Sequence, residues 1–89
     1  MTGEDWTKVK TGFVIQANDR FVWAIIANGH PEKPVIYYTS YLWEAKAWKD
    51  MKAALKARNR LQAQGVDCVV HAFKYDEEAA ARILVGMVD

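Results

Sequence analysis

The sequence predicts an α+β fold: a mainly antiparallel sheet in the order β-β-β-α-β with a short C-terminal helix, the main helix packed on one sheet face. Three observations predict it. Residues 9–17, 21–27, 35–38 and 66–75 are rich in aromatic and β-branched side chains, the types that fit a pleated half-buried surface. Between the third and fourth of these runs, apolar residues recur from Trp43 at helical spacing: Ala47, Met51, Ala54, Leu55 and Leu61. Eighty-nine residues that are 52% hydrophobic form one core, because a chain this short buries only about 60 to 65% of its extended surface. Residues 1–89 therefore read as a single domain, with residues 1–8 as a flexible N-terminal segment.

The first two strands form a hairpin. Asn18-Asp19 separates them, and both residue types tolerate the positive φ that a tight turn demands. That turn puts Ala17 opposite Arg20, Ile15 opposite Val22 and Phe13 opposite Ala24 on one face, the candidate for the helix-covered core. The other face then carries Val14 with Trp23, Gln16 with Phe21, and Gly12 with Ile25. A loop over residues 28–34, containing Pro31 and Pro34, ends this hairpin. Pro34 lacks an N–H and belongs at the start or on the edge of the third strand.

Ser40 is placed to cap a helix entering at Tyr41. The helix either continues unbroken to Gln64 or breaks near Trp48-Lys49-Asp50, where Asp50 would cap a second helix after one short turn. Gly65 ends it as the residue after the C-cap. In the fourth strand Cys68, Val70 and Ala72 form a row of small side chains suited to lie beneath the helix, leaving Val69, His71 and Phe73 on the other face. Asp76-Glu77-Glu78 places acids where a helix N-terminus favours them, so residues 79–85 read as a short helix.

Composition narrows the function classes. One cysteine excludes an internal disulfide framework, and an acidic start without an apolar stretch lacks the marks of a signal peptide. The longest apolar runs fall far short of the roughly 20 residues that cross a bilayer, so a soluble cytoplasmic protein is expected, with no membrane partner. Cys68 and His71, three apart in a strand, point to opposite faces, which removes a Cys-His nucleophile pair and a shared metal site. Glu4, Asp5, Asp76, Glu77, Glu78 and Asp89 cluster near the chain ends, and the scattered glycines form no phosphate loop. No catalytic residue, cofactor or metal is expected, and the chain reads as a non-enzyme.

Two surfaces remain. The first is the mixed sheet face of Val14, Phe21, Trp23 and Ile25, which either the C-terminal helix closes, a homodimer buries or a different protein binds. The second is a basic ridge on the helix: Lys46, Lys49, Lys52, Lys56 and Arg60. Residues 45–64 hold six Lys or Arg against one acid, a charge of +5 in a chain of +1, so the remainder sums to −4. Such a ridge keeps a hydrophobic protein soluble, meets an acidic protein surface or meets nucleic-acid phosphates, with Phe21, Trp23 and the Tyr37-Tyr38-Tyr41 group available to stack bases. Near-neutral total charge speaks against nucleic acid. Arg58 falls inside the apolar arc, where its guanidinium must snorkel out, reach Asp67 or meet a partner's carboxylate.

A hairpin with Phe13-Val14-Ile15 and Phe21-Val22-Trp23, then Tyr38-Thr39-Ser40, then Glu44-Ala45-Lys46-Ala47-Trp48, then a basic alanine-containing helix and a closing strand resembles small uncharacterised bacteriophage and prophage proteins. The resemblance covers residues 12–75 and carries no catalytic motif. It implies an accessory viral protein of the host cytoplasm that acts by binding a host or phage component. The expected function is accordingly a protein-protein interaction module, a homodimer in its own right, with nucleic-acid binding through the ridge as the alternative.

Overall fold

A computed structural model describes residues 10–26 and 34–88, so the expected N-terminal segment 1–8 and most of the expected loop over 28–34 lie outside the described residues. Three strands come first, β1 (Thr11–Ala17), β2 (Arg20–Ile26) and β3 (Val35–Thr39). A 3-10 turn (Leu42–Glu44), helix α1 (Met51–Ala63) and strands β4 (Cys68–Asp76) and β5 (Ala81–Val88) follow. The five strands form one sheet in the order β3-β2-β1-β4-β5, every neighbouring pair antiparallel. The mixed α+β class and the helix on one sheet face are as expected. The chain ends differently, in a strand rather than a helix.

Local chemistry accounts for each element. Asn18 takes φ 57° in the β1–β2 turn, a left-handed conformation that asparagine accepts at low cost. The helix starts where Asp50, in extended conformation, accepts a hydrogen bond from the Lys52 N–H at 3.1 Å. It ends in a Schellman motif: the Val66 N–H donates to the Leu61 carbonyl and the Gly65 N–H to the Gln62 carbonyl, both at 3.0 Å, with Gly65 at φ 86°. Of the two helix readings, the broken one holds. Ser40 caps nothing; instead the Thr39 hydroxyl accepts the Tyr41 N–H at 3.1 Å and donates to the Glu44 carboxylate at 2.6 Å.

The helix signal at Asp76 is real but short-lived. The Asp76 carboxylate accepts from the Glu78 and Ala79 N–H groups, which begins a helical turn. Ala80 then adopts φ 50° and reverses the chain, so that residues 81–88 pair along β4. The β-branched Ile83, Val85 and Val88 suit that pairing better than a helix.

One face of the sheet meets α1. Ile15, Ala17, Val22, Cys68 and Val70 are buried against Ala54 and Leu61, with Phe13, Ile25, Ile36 and Leu55 packed around them. Of the expected small row, Cys68 and Val70 lie beneath the helix, while Ala72 is outside that cluster. A second cluster, Val14, Phe73 and Ala45, fills the opposite face with Leu42, Ala47, Phe21 and Leu84.

The connection between β3 and α1 links the two faces. Strands β1 and β2 pair only beside their turn, at Ala17 with Arg20 and Gln16 with Phe21. Beyond that the hairpin opens, and residues 46–48 occupy the opening. The Lys46 N–H donates to the Val22 carbonyl at 3.0 Å, while Trp48 and Phe13 exchange both backbone hydrogen bonds at 2.8 Å. The chain arrives with Leu42 and Ala45 against the second face and leaves with Trp48 against the helix-side core. A backbone that would otherwise be orphaned inside the protein is thereby satisfied.

Candidate functional site

A bulge in β2 decides what the second face displays. Val22 pairs with Tyr38 and Ala24 with Tyr37, leaving Trp23 as the extra residue. The alternation of inward and outward side chains changes phase there, so Val22 and Ile25 both pack on the helix-side core although three residues apart. Trp23 turns to the opposite face, half exposed at 50%, and meets Tyr37 edge-on with ring centroids 5.9 Å apart at 87°. Tyr37 lies between Ile36, which packs on the helix-side core, and Tyr38, and is 44% exposed.

A second pair of rings sits in the connection that covers this face. Tyr41 and Trp43 flank Leu42, whose side chain is against the sheet, and each is 58% exposed with centroids 5.8 Å apart. Ile26 and Val35, paired across β2 and β3, are also exposed. Four rings and two aliphatic side chains on the side of the sheet away from α1 exceed the scattered apolar residues of an ordinary surface.

The expected binding residues divide. Trp23 is displayed. Phe21 is half-buried against Val14, Ala45 and Phe73, and Val14 is fully buried beneath the connection. Ile25 belongs to the helix-side core because the bulge rotates it there. Val14 is thus closed to a partner, and Ile25 is partly exposed on the helix side rather than beside Trp23. Trp43, expected on the apolar arc of the helix, is instead among the most exposed side chains of the connection.

The basic ridge is also divided. Lys52, Lys56 and Arg60 are exposed on α1 at intervals of four. Lys49 is exposed in the bend before the helix, and Lys46 lies in the extended stretch with its ammonium 5.5 Å from the Trp48 ring. A single helical stripe from Lys46 to Arg60 is therefore excluded, since residues 45–50 are spent crossing the sheet. Arg58 is partly buried and donates to the Asn59 side-chain carbonyl from Nε at 3.2 Å and from Nη2 at 2.9 Å.

Arg82, which nothing in the sequence pattern singled out, holds the covering connection in place. It is 6% exposed and donates from Nη1 to the Ala45 carbonyl at 2.9 Å and the Leu42 carbonyl at 3.2 Å. Its guanidinium carbon stands 4.7 Å from the Phe73 ring centroid. Burial pushes its pKa below the ordinary arginine value, yet guanidinium stays protonated and the contacts remain charge-assisted. The available signal was a lone cation in the apolar run Ile83-Leu84-Val85.

Cys68 is buried under α1, its thiol pKa raised first by desolvation, and lies on the other face from His71, which pairs with Val14. Among the described residues no three of His, Cys, Asp and Glu gather as a metal set, and no helix is long and apolar enough to cross a membrane. A surface hollow of about 520 Å³ lies between the β1–β2 turn, Tyr38 and the α1–β4 turn; it opens widely and presents Asp19, Arg20 and Asp67.

Fold and surface together define a small α+β protein whose sheet is covered by a helix on one face and displays aromatic rings on the other. Comparison with family models, with curated proteins and with solved structures found no match.

Proposed function

We propose that this chain is a non-enzymatic interaction module that binds a protein partner through the Trp23, Tyr37, Tyr41 and Trp43 surface, in the phage or prophage setting that its sequence resemblance implies. The observation that carries the reading is the display of four rings, in two touching pairs, away from the helix. Rigid aromatic side chains bury large apolar area at low entropy cost, which makes them the usual anchors of protein interfaces. The partner surface is correspondingly apolar, with few charges.

Nucleic-acid binding is the second reading, and the exposed rings give it one element it needs, since stacking requires accessible faces. The geometry speaks against it. The helical cations Lys52 and Lys56 are exposed on α1, across the sheet from Trp23 and Tyr37, while Arg60 borders a small hollow with Ile25 and Pro34. A single strand stacked on the rings would run past neither lysine.

The test is capture of the partner from the native host, followed by calorimetry with the purified partner. Trp23→Ala and Tyr37→Ala should each weaken binding by about tenfold or more, as expected for interface anchors. Charge reversal at Lys52 and Lys56 should change it little. Unaltered binding in the aromatic variants overturns the proposal. So does a steep salt dependence of binding to an RNA or DNA oligonucleotide that disappears in Lys52→Glu/Lys56→Glu.

A further inference from the structure

We infer that β5 is a self-association edge, through which two copies of this chain join their sheets into one continuous ten-stranded antiparallel sheet. The inference uses the sheet edge opposite the one beside Trp23 and Tyr37 and does not rest on the reading above.

Sheet order leaves β3 and β5 as the two edges among the described residues. An edge strand presents a row of backbone donors and acceptors that water satisfies in the monomer and that an extended strand can take over in register, so a protein occupant of this edge is a strand. The two edges differ in how they are guarded. β3 has five residues, and Pro34, which lacks an N–H, stands at its start. β5 has eight residues and neither proline nor acid; its one charged side chain, Arg82, is turned inward onto the Leu42 and Ala45 carbonyls. From Ile83 to Val88 no lysine, glutamate or proline obstructs pairing, and the bulge at Val85 is the one irregularity this edge carries. Ile83, Val85 and Met87 are exposed along it, the last two at 62% and 65%.

The features of this edge specify a second copy. Antiparallel pairing of one edge with itself is two-fold symmetric, so each residue meets its counterpart reciprocally and the assembly closes at two. An uncharged edge on a chain of net charge +1 meets itself with little repulsion. Val85, the extra residue opposite the Ala72–Phe73 step of β4, sits near the middle of the strand. Any antiparallel register that pairs most of β5 therefore brings the two Val85 side chains close together. Because the two-fold stands perpendicular to the joined sheet, both helices lie on one side and both aromatic surfaces on the other.

Sedimentation equilibrium of the full chain tests this. The expected mass at about 100 µM is twice 10.1 kDa, a concentration at which even a micromolar dimer is nearly saturated. Val85→Lys and Met87→Lys alter side chains that are already solvent-exposed, and like charges brought together should raise the dissociation constant at least about tenfold. Trp23→Ala should leave it unchanged. Hydrogen exchange of the wild type needs no variant: protection of Ile83–Val88 amides should rise with protein concentration while that of β3 does not. A wild type that stays at 10.1 kDa overturns the inference. A dimer that survives Val85→Lys and Met87→Lys and dissociates in Trp23→Ala also overturns it, and places self-association on the aromatic surface instead.

Discussion

Arg82 and Gly12 show how much of this molecule depends on single positions with no motif. Arg82→Ala removes two charge-assisted hydrogen bonds and leaves the Leu42 and Ala45 carbonyls without that donor, at an expected cost of about 2–4 kcal/mol. Denaturant titration reads that loss, and faster amide exchange at Ala45 would localise it to the connection. Arg82→Lys should recover only part of the loss, because one nitrogen, Nη1, makes both bonds and an ammonium can imitate it, while the guanidinium's contact with the Phe73 ring is lost. At Gly12 a Cβ would stand 2.9 Å from the Trp48 carbonyl oxygen and 3.0 Å from the Phe73 ring. Gly12→Ala should therefore destabilise by about 1–3 kcal/mol through overpacking, a loss of thermal midpoint that Gly86→Ala, in open space, does not share. On the surface, Lys10 and Glu77 pair at 2.7 Å. The hydrogen bond from Lys10 lowers the Glu77 pKa, so its stabilising contribution is present above the ordinary glutamate pKa and is lost as pH falls through the lowered value. Lys10 is shifted upward by the same bond, and its share is lost only as pH rises through that raised pKa. Both groups are fully exposed, so a titration followed by NMR should show the two shifts while Lys10→Met leaves the thermal midpoint nearly unchanged.

Among the elements, α1 is the one whose limits follow most directly from local chemistry. Asp50 and Gly65 bracket it, and both are residue types whose side chain or backbone freedom does the capping. Asp50→Ala should cost about 1 kcal/mol, and Leu61→Ala, removing a side chain buried between helix and sheet, about 2–5 kcal/mol; urea midpoints compare the two. The hairpin turn was equally legible, because Asn18 accepts positive φ. The stretch over residues 45–50 was not. Its alanines, lysines and tryptophan carry the apolar spacing of a helix, yet it is held extended by Phe13 and Val22 backbone groups that are distant in sequence. The last strand misled for a related reason. Asp76 does cap a turn, and a local signal cannot state that the unpaired edge of β4 offers the following residues more than a helix would.

For the molecule as a whole, two β-bulges matter more than any motif. One at Trp23 sends Ile25 to the core and Trp23 outward; the other, at Val85, leaves the outermost strand with its middle side chain in solvent. Periodicity of two assigns faces correctly only up to such a residue, which is why Val14, Phe21, Trp23 and Ile25 could be grouped from sequence and yet separate in the fold. If dimer and aromatic surface coexist as proposed, each dimer presents two rings of the Trp23 type on one side. A divalent partner should then bind wild type more tightly than Val85→Lys, a gain from avidity that surface plasmon resonance at low and high partner density distinguishes. The sequence by itself determined the α+β class, the Asn18-Asp19 turn, the helix-covered face of Ile15, Val22, Cys68 and Val70, and the end of α1 at Gly65. These follow from side-chain period, turn residues and capping, all interactions between near neighbours in the chain. Only the tertiary structure decided that the connection crosses the sheet, that Arg82 pins it, that β5 is a strand and which rings face solvent, because those outcomes rest on backbone groups and bulges paired across long sequence separations.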